Sequence, residues 1–319
     1  MSETDAHVDH DQTSTTSLEH EEVGSTRLER RHEIREERRL EGDLRSMKAR
    51  AQAEKLIARI SSGFIYVVIV LGSILLGPRA VSVLMAVMSW MCASELMHMM
   101  RLAGRTPNET IGLAAAFAFP LVGLLPDFFV EIICFALSGA CVLWYLGIPK
   151  INILDVAVTL FVPLYTGLLL SSVVEIRGAL AGFPGALLTL AVFGCIWLND
   201  SFAFFVGTRF GRHKMAPRIS PKKSWEGFAG GMVGSVLAWV ILYLTHYVSI
   251  DLTLCLVLGI CVGIAGVLGD LFESRIKRGV GVKDSGNVMP GHGGLLDRCD
   301  SLVFGCVVAE LILRIGGVL

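Results

Sequence analysis

From about residue 60 onward the chain alternates long apolar runs with short polar connections. The runs cover roughly 61–77, 80–100, 110–125, 128–146, 153–173, 184–207, 228–248, 252–271 and 301–318. A helix needs about 20 apolar residues to cross a hydrocarbon core, so the longer runs cross comfortably and the shorter ones barely. Lipid offers no partner for backbone N–H and C=O groups, which leaves the helix as the way to satisfy them within each run. The pattern therefore predicts an all-α, polytopic membrane protein with about nine transmembrane helices. It divides into a hydrophilic tail at 1–59, a group of about five N-terminal transmembrane helices at 60–183, and C-terminal transmembrane helices with long polar loops at 184–319. The tail reads as disordered at first, then, from Arg27 to Arg59, as a helix with acids and bases three or four apart, solvated or lying on the membrane surface.

Composition sharpens this division. The chain has 319 residues, 53% of them hydrophobic, and of its 57 charged side chains 25 fall within residues 1–59. A body so poor in charge excludes an ordinary soluble globular enzyme. No apolar stretch precedes residue 60, so a cleavable secretory signal is not expected. The tail mixes 11 Lys/Arg with 14 Asp/Glu, unlike a basic nucleic-acid arm, and no nucleic-acid partner is expected. Eight cysteines without a C-x-x-C pair read as small buried hydrophobes rather than disulfide or zinc ligands.

Sorting the connections onto alternate sides puts 14 Lys/Arg on one side, in 101–109, 147–152, 208–227 and 272–300, and only Arg79 and Arg177 in the connections of the other. The basic side is cytoplasmic by the positive-inside rule, which predicts a cell (inner or plasma) membrane protein with its polar cleft facing the cytoplasm. The two longest loops carry 11 of these bases, more than topology requires, and point to a polyanionic ligand or to anionic headgroups.

Acids at membrane depth favour the ligand, because each costs about 2.5–3.5 kcal/mol on insertion scales and is seldom kept without a task. Asp200 lies in the sixth run and Asp270 at the end of the eighth. Continued helix beyond Asp270 would put Ser274, Lys277 and Arg278 near its face. A loop with Gly291, Gly293 and Gly294 around His292 follows, a candidate phosphate cradle, and Asp297, Arg298 and Asp300 stand at the mouth of the last run. Asp270 with two carboxylates there could share a hard cation, and Mg²⁺ is typically held by one or two carboxylates plus substrate phosphates. P-loop, dinucleotide, H-E-x-x-H and G-x-S-x-G motifs are missing. His98, His213 and His246 are isolated and read as structural.

Two stretches carry a resemblance. Ser274-x-x-Lys277-Arg278, Lys283-Asp284, Pro290-Gly291-His292-Gly293-Gly294 and Asp297-Arg298-x-Asp300 recur in that order and spacing in phosphatidate cytidylyltransferases, the CDP-diacylglycerol synthases. Asn199 through Phe204, with Gly207, Gly211 and Ile219 through Gly227, resembles the same family, with Phe204 and Ser224 where Tyr and Thr are more usual. The resemblance is specific over about 195–301 and does not cover 1–59. It implies transfer of a cytidylyl group from CTP to phosphatidate, a homodimer in the bilayer, Mg²⁺ on Asp270 and Asp297, and a K⁺ ion nearby. The catalytic set expected is Asp270, Asp297, Lys277, Arg278 and Lys283. Ser220, Lys222, Lys223, Ser274, His292, Gly293, Gly294 and Arg298 are expected to bind substrate, and Asp200, Glu226, Glu273, Asp284 and Asp300 to support them. Two other readings fit parts of the pattern: a CTP-using enzyme acting on another membrane lipid, and an ion-coupled transporter. The D-G-x-x-A-R motif of CDP-alcohol phosphotransferases is absent.

Overall fold

A computed structural model describes residues 39, 47, 53–54, 56–289 and 293–319. The expected disordered segment and charged helix of the tail fall almost entirely outside these residues, as do Pro290, Gly291 and His292 at the centre of the glycine-rich turn. Ile60–Leu319 forms one compact unit.

That unit is helical apart from one hairpin. Helix α1 spans Leu56–Leu76. It is followed by α2 (Pro78–Leu102), α3 (Glu109–Val122), α4 (Phe128–Gly147), α5 (Ile153–Pro163), a π-helical turn (Leu164–Leu168), α6 (Leu169–Ala179), α7 (Gly182–Phe210), β1 (Lys214–Ala216), β2 (Ser220–Ser224), α8 (Trp225–Thr245), α9 (Leu252–Val280) and α10 (Leu296–Ile315). Every predicted apolar run is therefore helical. Among the described residues, seven helices rather than nine are long and apolar enough to cross a membrane, with α5, the π turn and α6 counted as one. The two that fall short do so for different reasons. Helix α3 has 14 residues, about 21 Å at 1.5 Å per residue. Helix α10 carries Asp297, Arg298, Asp300, Glu310 and Arg314. Many large apolar side chains face outward, Phe135, Leu143, Phe204 and Phe205 among them, as expected of surfaces meeting lipid.

Helix ends follow the local sequence. Asn108 caps α3, and Asn152 with Asp155 forms a capping box at the head of α5. Asp155 also accepts from the Thr106 backbone N–H at 2.9 Å, tying the α2–α3 connection to α5. Buried Arg177 on α6 donates Nε to the Ile74 carbonyl at 2.9 Å and so satisfies an orphan group at the end of α1. Gly281, at φ 82°, stops α9 in the left-handed conformation that glycine adopts without strain.

The 208–227 stretch, expected as a loop, contains the antiparallel β1–β2 hairpin, with Lys214 opposite Ser224 and Ala216 opposite Ser220. A turn through Pro217 closes it, Ile219 N–H donating to the Ala216 carbonyl at 3.1 Å. Ser224 ends β2 and caps α8, its Oγ accepting from Gly227 N–H at 3.2 Å. A Cβ at Gly227 would stand 2.9 Å from the Ala203 carbonyl oxygen, so the glycine lets α8 pack closely against α7.

Candidate active site

The hairpin, α7, α9 and α10 bring charged side chains to a common cluster. Helical spacing on α9 places Asp270, Glu273, Ser274 and Lys277 along one side. Ser274 Oγ donates to Asp270 Oδ1 at 3.1 Å, and Lys223 of β2 reaches Asp270 Oδ2 at 2.7 Å. Lys277 pairs with its helix neighbour Glu273 and, at 2.5 Å, with Asp297 Oδ1 on the first turn of α10. The second Asp297 oxygen accepts the backbone N–H groups of Ser285 at 3.0 Å and Gly294 at 2.9 Å. Glu273 is fully buried, with Lys277 as its ion partner. Asp300 is buried, its Oδ1 accepts the Ser301 N–H at 2.6 Å, and it lies within electrostatic range of Asp270, Glu273 and Asp200. Asp200 lies on α7 within electrostatic range of Asp270, Lys223 and Arg298.

Most of the residues singled out from sequence thus converge, while several do not. Alternation along β2 turns Lys222 to the face opposite Lys223, and Lys222 is exposed. Ser220 sits at the start of the same strand, half-buried. Arg278 does not join the Asp270 face: it is exposed and donates Nη1 to the Val282 carbonyl at 3.2 Å, closing the end of its own helix. Lys283 and Asp284 are exposed on the loop after α9. Glu226 supports the hairpin instead of the cluster, its Oε1 lying 2.6 Å from His213 Nδ1 and its Oε2 accepting the Arg212 N–H at 3.1 Å. The Gly294 amide, expected to face phosphate, is committed to Asp297. Gly293 has φ 88°, and a Cβ there would approach Asp297 Oδ2 at 2.9 Å, so the turn needs glycine for both conformation and space.

Two members of the surroundings escape the sequence reading. Glu95 of α2 lies inside an apolar run, is 6% exposed, and accepts from Ser285 Oγ and from the Leu295 and Leu296 N–H groups. The cost of an acid at membrane depth was a signal for it. Tyr165, in the π turn, has a buried hydroxyl without a hydrogen-bond partner among the described residues and lies in range of Asp300 and Glu273. A tyrosine in an apolar run carries no comparable signal.

Carboxylate oxygens are the donor type that a hard divalent cation takes. Carboxyl oxygens of Asp200, Asp270, Glu273, Asp297 and Asp300 gather near Lys223, Lys277 and Arg298. Among the described residues no three His, Cys, Asp or Glu side chains are arranged to hold an ion by themselves. An ion here would complete its shell with oxygens from water or a bound anion, as Mg²⁺ commonly does.

Apolar crossing helices surrounding a cluster of mixed charge define a polytopic membrane protein with a charged site at one set of helix ends. Residues 57–316 match the Cytidylyltransferase family, and the chain belongs to that family. It is 34% identical over 258 residues to a phosphatidate cytidylyltransferase of Bacillus subtilis (strain 168), covering 77% of this chain and 93% of that protein. A phosphatidate cytidylyltransferase of Synechocystis sp. is 33% identical over 272 residues, covering 77% of this chain and 92% of its own. One from Thermotoga maritima is 43% identical over 136 residues, covering 41% of this chain and 50% of its own.

Proposed function

We propose that the protein transfers the cytidylyl group of CTP to phosphatidate, giving CDP-diacylglycerol and pyrophosphate for phospholipid synthesis. The observation that carries this is that α9 holds two charged sets, Asp270 with Lys223 and Ser274, and Lys277 with Glu273 and Asp297 of α10, with Asp300 in range of Asp270 and Glu273, in a chain of the cytidylyltransferase family.

The chemistry asks for such a cluster. The second pKa of a phosphate monoester is near 6, so phosphatidate is largely a dianion at neutral pH. Its phosphate oxygen attacks the α-phosphorus of CTP, the bond from that phosphorus to the β-phosphate bridge oxygen breaks, and pyrophosphate leaves with the bonding electrons. No strong general base is needed. The barrier lies in bringing two anions together, so positioning and charge neutralisation supply most of the rate. Mg²⁺ held by Asp270 and Asp297, with K⁺ as a monovalent companion, would supply Lewis-acid charge to the phosphate oxygens.

The chain's own groups do the rest. Lys223, at the tip of β2 and within reach of Asp270, holds CTP phosphates. Lys277 keeps Asp297 charged and aimed, and Ser274 orients Asp270. Arg298, in electrostatic range of Asp200, would receive the incoming lipid phosphate. Arg278, Lys283 and Lys222 are exposed and draw polyanions towards the site by their field. His292 and Gly293, neighbours in the sequence before Asp297, are assigned to substrate binding.

The full arrangement is nine crossings in a plasma membrane, with the cleft open to the cytoplasm and sideways to lipid, working as a homodimer. Helix-end contacts support the alternation. Thr106 meets Asp155, and Lys223 meets Asp270, at ends assigned to the cytoplasm, whereas Arg177 meets Ile74 and Arg314 meets Glu175 at ends assigned to the other side. Lipid tails never leave the bilayer, and only the headgroup reaches the charges.

Purified protein in detergent micelles, given labelled CTP, phosphatidate and Mg²⁺, should form a labelled liponucleotide and pyrophosphate in equal amounts. No product across several detergents overturns the proposal. Activity confined to sealed vesicles would favour an ion-coupled transporter, and product only with another lipid phosphate would move the acceptor.

A further inference from the structure

We infer that Glu95 is a positioning residue for this reaction: from α2 it staples the loop that presents Asp297, and so sets the geometry of the α9–α10 charge cluster. The inference rests on the functional reading above for its consequence, and on hydrogen bonds alone for its structure.

Helix α10 starts without a side-chain cap of its own, with Leu295 at the N-cap. Its first N–H groups still need acceptors. They find them about two hundred positions away in sequence, where Leu295 N–H donates to Glu95 Oε1 and Leu296 N–H to Glu95 Oε2, each at 2.9 Å. A carboxylate at a helix N-terminus is also favoured by the helix dipole. Ser285, on the incoming segment of the loop, donates its hydroxyl to Glu95 Oε2 at 3.0 Å. Every one of these partners donates, an arrangement that uses two acceptor oxygens where an amide would offer one.

The same two loop segments are also held by Asp297, in alternation. Ser285 gives its hydroxyl to Glu95 and its backbone N–H to Asp297. Gly294 gives its N–H to Asp297, and the next two N–H groups go to Glu95. Two carboxylates thus pin one loop through neighbouring donors, which couples the position of Asp297 to that of Glu95. The glycines make room for this staple. A Cβ at Gly286 would lie 2.7 Å from Glu95 Oε1, and one at Gly294 would collide with Ser285 Oγ and Glu95 Oε2. Part of the glycine-rich character of the loop therefore serves Glu95 and not a phosphate.

Glu95→Gln removes the charge and turns an NH₂ group towards the donors of α10, while keeping size and one acceptor. Glu95→Asp keeps the charge on a shorter reach. The test compares both with wild type in detergent, reading thermal midpoint, hydrogen exchange across the chain without CTP or phosphatidate, and turnover. Expected for Glu95→Gln is faster exchange confined to residues 283–297, a midpoint within a few degrees of wild type, and turnover lowered about tenfold or more. Glu95→Asp should fall between the two. Wild-type exchange in 283–297 overturns the staple, and wild-type turnover with faster exchange overturns its catalytic consequence. Faster exchange throughout α2–α10 overturns it as well, by showing a purely structural role. Exchange is read without substrates, so absence of product from the wild-type enzyme would sink the functional reading and leave the staple standing.

Discussion

Lys222 and Lys223 are adjacent and chemically identical, yet β2 turns them to opposite faces. Lys223 is paired with Asp270 at 2.7 Å, and Lys222 is exposed. Lys223→Ala should raise the KM for CTP by roughly tenfold or more, the loss expected of one charge-assisted contact, and change the KM for phosphatidate much less. Lys222→Ala should shift both by under about twofold, as a distant surface charge does. Steady-state kinetics with each substrate varied in turn checks this, and equal effects of the two substitutions would contradict the strand alternation. At this scale the sequence marks residue types well and directions poorly. Asp270, Ser274 and Lys277 are readable as one face because helical spacing is fixed. Arg278 differs because Gly281 ends the helix, and the arginine turns to cap it. Glu95 has the same legibility as Asp200, an acid in an apolar run, but its partners lie in a distant loop that no local pattern connects to it.

Elements are more legible than directions. Nine apolar runs become helices because the solvent of this chain leaves its backbone no other partner. The hairpin is hidden, since a strand of three residues and one of five offer too little alternation to distinguish from a loop. The π turn after Pro163 is also local, and it sets Tyr165 toward the charge cluster. Close helix crossings explain some glycines that sequence alone leaves open. At Gly269, next to Asp270, a Cβ would collide with the backbone carbonyl of Asp300, so α9 and α10 touch main chain to main chain beside the site. Gly269→Ala must spread these helices, at a cost of about 1–3 kcal/mol for overpacking. A lowered thermal midpoint and reduced turnover are expected together, and a wild-type midpoint would contradict the close crossing.

For the whole molecule, the separation of apolar crossings from charged ends sets what the enzyme can do. On the proposed function, acyl chains would stay with the outward-facing apolar side chains, and the phosphates would meet Lys223, Asp270, Lys277 and Asp297. Charge counting assigns these ends to one side, an assignment drawn from the sequence alone. The exact composition of the site is not readable that way, because contacts such as Lys223 with Asp270 join segments far apart in the chain. The central claim is that carboxylates from α9 and α10 act together on a divalent ion to let two anions react. Its most direct test is liponucleotide formation as a function of free Mg²⁺ by wild type, Asp270→Asn and Asp297→Asn, all shown to be folded in detergent. The account predicts saturable Mg²⁺ dependence in wild type, no turnover under chelation, and a loss of roughly a hundredfold or more in each variant. Full turnover with every divalent ion chelated, or wild-type rates in either variant, would contradict it.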